Sequence, residues 1–224
     1  MTLIERAARP AGALVLLHSW WGLTDHFRQL AAELAGAGLT TVAPDLYGGP
    51  STDDPVRARE LRRGLDDEDT LARVAAAVGA AQELAGGAPA GVLGFSVGAE
   101  FAIRAAARLG PAAGAVVAFY GTYLPDDLPA LTAPVQLHLA TDDEFVPPEE
   151  AAEFAGRMVA LAKRLELYTY PGTRHAFVNR SRPEAYDPAA AELGRRRAVA
   201  FLRDTLHTAV RAAPAAHPEQ ARRT

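Results

Sequence analysis

The sequence predicts an α/β fold: a mostly parallel central sheet covered by helices on both faces. Three observations predict it. Short apolar runs recur along the 224 residues. Several are apolar at every position rather than at alternate ones, as strands buried on both faces must be. Segments with helical spacing lie between them. Such alternation implies right-handed βαβ crossovers and places ligand sites beyond the carboxyl ends of the strands.

Taken in order, residues 2–6 can add an edge strand, and residues 13–18 are the first fully apolar strand. Phe27, Leu30 and Leu34 then recur at helical spacing, before a strand at 40–43. Leu71, Val74, Ala75 and Val78 mark a helix preceded by acidic residues, which suit the positive end of its dipole. Strands follow at 90–94, 115–120, 135–140 and 166–170, with a helical stretch after Ser96 and another starting near Pro148. The segment from 188 to about 210 reads as a final helix, with Leu193, Val199, Leu202 and Leu206 inward. Residues 1–211 are thus expected to form one domain. The Ala-, Pro- and Arg-rich tail, 212–224, has too little apolar bulk to offset its ordering entropy and is expected to be disordered.

Composition narrows the function. With 49% hydrophobic and 22% charged residues the chain suits a globular enzyme rather than a disordered protein. A net charge of -4 and no basic stripe argue against nucleic acid, whose phosphates call for clustered Lys and Arg. There is no cysteine, which excludes a disulfide framework, a thiolate zinc site and a cysteine nucleophile. No basic start followed by an apolar run is present, nor a run of roughly 18 apolar residues, so a cytoplasmic protein without a membrane span is expected. No clustered metal ligands and no Gly-x-Gly-x-x-Gly after a first strand are found, so neither a metal nor a cofactor is expected.

The chemistry-bearing motif is Gly94-Phe-Ser96-Val-Gly98, after an apolar strand and before a helical stretch. A Gly-x-Ser-x-Gly arises easily by chance; the strand before it and the helix after it make it specific. A serine at so sharp a strand-to-helix turn sits on strained backbone, and side chains at Gly94 or Gly98 would collide with neighbouring elements. The Val97 N–H, at the helix start, can donate to the oxyanion formed when Ser96 attacks a carbonyl. Because a serine hydroxyl needs a base, the partners are sought downstream in the order serine, acid, histidine, as in the α/β-hydrolase fold.

Of six histidines, His18 precedes the serine, His138 lies within a strand, and His207 and His217 fall in the last helix and the tail. His26 reads as a solvated helix residue. Only His175 sits on a loop after the last strand, where it can reach back over the sheet. For the acid, Asp142, Asp143 and Glu144 all emerge at the correct end of the strand 135–140, where they also suit a helix N-terminus. Asp143 is preferred, partly on the resemblance given next. Trp20, after the first buried strand, is the candidate for a second oxyanion N–H, and Trp21, Phe119, Tyr120, Phe145 and Asn179 complete the candidate substrate pocket.

Several blocks together resemble the dienelactone hydrolase family: His18-Ser-Trp-Trp-Gly-Leu, Ala43-Pro-Asp-Leu-Tyr-Gly48, Gly94-Phe-Ser-Val-Gly98, Asp143-Glu-Phe-Val-Pro147, Arg174-His-Ala-Phe177 and Tyr186-Asp-Pro-Ala-Ala-Ala191. The resemblance spans nearly the whole chain and implies a compact α/β-hydrolase with a catalytic triad, Ser96, Asp143 and His175, acting on small esters or lactones. The founding members carry cysteine where Ser96 stands and glutamate where Ser19 stands. The two changes agree, since that glutamate is thought to hold a thiol proton and a serine system does not need it. The founding enzymes also grip a substrate carboxylate with an arginine a few residues after the histidine. Here the stretch reads Phe177-Val-Asn179-Arg180; with Asn179 as the counterpart, the bidentate clamp is lost. Arg57, Arg59, Arg62 and Arg63 follow residues 44–49 in a segment that can border the site, although most of them read as solvated surface charge. The connection 121–134 is too short for a large lid, which favours short acyl chains. The rival reading is a binding or scaffold protein that keeps the fold without turnover.

Overall fold

A computed structural model describes residues 2–212 of the chain. Seven strands form a single sheet in the order β1-β3-β2-β4-β5-β6-β7. The strands are β1 (Thr2–Glu5), β2 (Gly12–Leu17), β3 (Leu39–Pro44), β4 (Ala90–Phe95), β5 (Ala113–Phe119), β6 (Val135–Asp142) and β7 (Leu165–Arg174). β1 pairs antiparallel with β3, and all other pairs are parallel. The helices are α1 (Asp25–Gly36), α2 (Pro55–Arg63), α3 (Asp67–Leu84), α4 (Val97–Leu109), α5 (Pro148–Ala160) and α6 (Pro188–Ala212).

The all-apolar strands are buried on both faces because helices cover both. Along β2, Ala13, Val15 and Leu17 pack toward α3, α4 and α5, while Leu14 and Leu16 pack toward α1 and α6. All five are fully buried, and each large side chain so placed contributes about 1.5–3 kcal/mol relative to exposure. The acidic start of α3 works as read: Asp66 caps it by accepting from the Asp69 N–H, and Asp67, Glu68 and Asp69 occupy its first turn.

Two readings are extended, for α2 and α6, and two need correction, for β7 and His26. The segment holding Arg57 to Arg63 is a helix, α2, capped by Asp54 and begun by Pro55. β7 runs to Arg174 rather than stopping at Tyr170, because an irregularity between Ala140 and Asp142 lets β6 and β7 pair again at Asp142 and Arg174. His26 is buried, since it shares the inner face of α1 with Phe27 and Ala31. The inner face of α6 is carried by Ala191, Ala198, Phe201, Leu202 and Leu206, with Leu193 and Val199 at its margin. The expected tail overlaps α6 at Ala212, and residues 213–224 lie outside the described residues. Between β5 and β6 only a single turn of 3-10 helix, Leu128–Ala130, interrupts the loop, and no large lid is inserted there.

Candidate active site

β4 ends at Phe95 and α4 begins at Val97, so Ser96 alone turns the chain. Its backbone takes φ 54° and ψ -121°, a conformation that costs a residue with a Cβ about 1–3 kcal/mol. Neighbours hold it there: the Ser96 N–H donates to the Phe119 carbonyl at 2.9 Å, and the Ser96 carbonyl accepts from the Ala99 N–H at 2.8 Å. A Cβ on Gly94 would lie 2.1 Å from the Gly98 carbonyl oxygen, and one on Gly98 would lie 2.5 Å from the Leu17 and His18 carbonyl oxygens. Only glycine at both positions lets β2, β4 and α4 meet this closely, which explains the spacing of the motif in steric terms.

The structure brings the three distant candidates together. His175 Nε2 lies 2.9 Å from Ser96 Oγ. On the other side of the ring, Nδ1 lies 2.9 Å from both carboxylate oxygens of Asp143. Asp143 is itself fixed, since its Oδ1 accepts from the N–H groups of Phe145 at 2.8 Å and Val146 at 3.1 Å. Its side chain is 2% exposed and that of His175 10%, so the contact is shielded from water, which strengthens it. The pair can therefore hold the proton on Nδ1 and leave Nε2 free to accept from the serine hydroxyl. Asp142 and Glu144 stay exposed. His175 follows β7 directly, and Ala176 after it takes φ 65°, which turns the chain back over the sheet.

Ser96 opens into a cleft of about 230 Å³ lined by Trp20, Val97, Tyr120, Phe145, Val146 and Arg62 among others. Phe145 leans on His175 at 4.7 Å and meets Trp20 edge-on at 5.8 Å. The Tyr120 ring also meets His175 edge-on, at 4.9 Å. Val97 is the first residue of α4, so its N–H has no carbonyl within the helix to bond.

Comparison with known proteins agrees with this architecture. The family model described as "Dienelactone hydrolase family" matches residues 2–206. The chain belongs to the dienelactone hydrolase family. As a member it is a hydrolase. It is 32% identical over 208 residues to a carboxymethylenebutenolidase of Rhodococcus opacus, covering 84% of this chain and 79% of that protein. It is 29% identical over 205 residues to carboxymethylenebutenolidase 1 of Cupriavidus pinatubonensis, covering 86% of each. Among solved structures, a dienelactone hydrolase-like promiscuous phosphotriesterase from metagenomic libraries superposes with a TM-score of 0.75 at 20% identity, covering 88% of each chain. A thermophilic esterase from Thermogutta terrifontis superposes with 0.68 at 19%, covering 91% of this chain and 86% of that one. At such identities the two structures speak to the fold alone.

Three candidate pocket residues of this dienelactone hydrolase family member, Phe119, Asn179 and Trp21, lie outside the cleft at Ser96. Phe119 is buried and stacks on His138 at 4.1 Å, facing away from the cleft because β5 alternates its side chains between faces. Asn179 is 2% exposed and closes its own turn by accepting from the Ser181 N–H; it borders a neighbouring depression with Trp21 and Arg182. Trp21 lines that depression and the one beside His175, with the Arg182 guanidinium 3.2 Å from its ring centre. Arg180, the other register of the family arginine, is engaged with Glu33 of α1. Neither register supplies a guanidinium to the cleft.

One arginine of the 57–63 segment borders the site, and one other contributor was not anticipated. Arg62 of α2 does reach the cleft, with its charge shared by Asp67 and Glu100 at 3.4 and 3.5 Å. His18 ties two loops together: the Leu46 N–H donates to its Nε2 at 3.0 Å, so its Nδ1 carries the proton and donates to the Ser19 carbonyl at 2.7 Å. Burial holds this imidazole neutral, with its pKa lowered to about 4. It thereby steadies the backbone just before Trp20. A histidine at the end of an apolar strand was the only available signal for this role.

Proposed function

We propose that this chain is a serine esterase or lactonase that cleaves small esters through an acyl-enzyme on Ser96. The observation that carries the reading is the continuous contact from Ser96 Oγ to His175 Nε2 and from His175 Nδ1 to Asp143. Ser96 Oγ attacks the substrate carbonyl as His175 takes its proton, and the Asp143 carboxylate stabilises the imidazolium that forms. The tetrahedral oxyanion is held by the N–H groups of Val97 and Trp20. Collapse breaks the ester C–O bond, with His175 returning the proton to the departing alkoxide. A water activated by the same imidazole then hydrolyses the acyl-enzyme.

The cleft, about 230 Å³, is below the ~300–1,000 Å³ of typical ligand pockets, and its walls are mostly apolar or aromatic. These features favour short acyl chains. The arginine that the founding enzymes place a few residues after the histidine has no counterpart in the cleft, and the guanidinium that does reach it, Arg62, is already shared by Asp67 and Glu100, so dienelactone itself is disfavoured as substrate. A fluorophosphonate probe should label Ser96 in the wild type and fail to label Ser96→Ala or His175→Ala; labelling that survived both would refute the reading. A series of nitrophenyl esters should peak at short acyl chains, and a maximum at long ones would contradict the size argument.

A further inference from the structure

A second cavity, of about 60 Å³, lies between α1 and the start of α6, and none of its lining residues lines the cleft at Ser96. Leu93, Phe95 and Phe119 of the sheet line it, with Leu30 and Leu34 of α1. His26 also lines it. This imidazole is 6% exposed, and neither ring nitrogen has a hydrogen-bond partner among the described residues. Its edge packs on the Phe27 ring at 5.0 Å, which fixes its orientation. Buried polar groups are almost always satisfied, so two orphaned nitrogens on one ring beside a cavity point to a ligand that satisfies them.

We infer that this cavity binds a short neutral alcohol, whose hydroxyl pairs with the His26 imidazole while its alkyl part lies against Leu93, Phe95 and Phe119. Three features select that chemistry. Burial, aided by the nearby Arg180, lowers the pKa of His26 to about 4, so the ring is neutral and offers one donor and one acceptor. A hydroxyl can meet either. The charges at the rim are already matched, Arg180 with Glu33 at 2.5 Å and Arg195 with Glu192 at 2.7 Å, leaving none to attract an ion. A single water needs about 10–15 Å³ on this scale, so the cavity has room for roughly four to six heavy atoms.

The test is a titration of the full chain, labelled with 15N-histidine, with 1-propanol. The His26 ring nitrogens should shift and saturate, while those of His18 and His138, whose partners are already in place, should stay. Propionate and propylammonium should give no saturable shift. His26→Phe should weaken propanol binding about tenfold, read from the Leu93 methyl resonances, as expected for one lost hydrogen bond. Leu30→Trp, which fills the cavity from α1, should abolish it. Both variants should label with fluorophosphonate at the wild-type rate, which separates this result from the esterase reading. Shifts linear to the highest propanol concentration, equal shifts at every histidine, tighter binding of propionate, or a propanol-soaked crystal with only water on His26 would each overturn the inference.

Discussion

The role of each catalytic candidate depends on one side chain being held by several others. Asp143 Oδ1 accepts from two backbone N–H groups as well as facing His175. In Asp143→Asn the amide oxygen keeps those backbone bonds and turns its NH2 toward Nδ1, which forces the proton onto Nε2, where it blocks acceptance from Ser96. Hydrolysis of nitrophenyl acetate should then fall about 10³–10⁴-fold in kcat. Asp142→Asn should change it by less than about twofold, since that side chain is exposed. A comparable loss in both variants would remove Asp143 from its proposed role. Ser96 and His175 could be read from the sequence because the motif and its chain order are local facts. His26 was misread because polarity suggested solvent, although its place next to Phe27 on the stripe of Ala31 and Leu34 put it on the inner face.

Elements were readable in proportion to how completely they are buried. The inner strands β2, β4 and β5 declared themselves as unbroken apolar runs because helices bury both of their faces, whereas β7, at the sheet edge, mixes polar and apolar residues. By contrast α2 buries only Ala58, so it left no apolar stripe; its usable signals were the Asp54 cap and Pro55 at the first turn. The far half of β7 was hidden by Pro171 and Gly172, which belong to a loop by composition, whereas a bulge sets Pro171, Gly172 and Thr173 opposite Thr141 alone and delivers His175 to the end of the strand. Helix α6 shows which positions bear energy. Leu202 is fully buried against the sheet, so Leu202→Ala should cost about 2–5 kcal/mol in urea unfolding. Leu193, at the margin of that face, should cost about 1 kcal/mol or less when truncated. Equal losses at the two positions would mean that α6 packs on a different face.

At the scale of the whole molecule, the sheet could be derived from the sequence because its strands are written one after another, while the cleft is assembled from the loop after β2, α2, β4, β5 and the segments following β6 and β7. No periodicity links Arg62 to Phe145, and only the closed fold makes them neighbours. The same closure buries three imidazoles that do no proposed chemistry with Ser96. Burial lowers the pKa values of His18, His26 and His138 to about 4, 4 and 3, from an ordinary value of 6.5. Between pH 6.5 and about 4 the unfolded chain therefore binds protons that the folded chain refuses, and stability rises with pH across that window. The contribution is fully present above pH 6.5 and is lost as the pH falls toward the folded values. Each histidine adds a slope of up to about 1.4 kcal/mol per pH unit. Urea unfolding should thus show a marked loss of stability between pH 7.5 and 5, before most carboxylates titrate. His26→Phe should flatten the curve by about one proton, because it removes one of the three groups that must stay neutral. A stability unchanged between pH 7.5 and 5 would show that these rings are not held neutral by the fold.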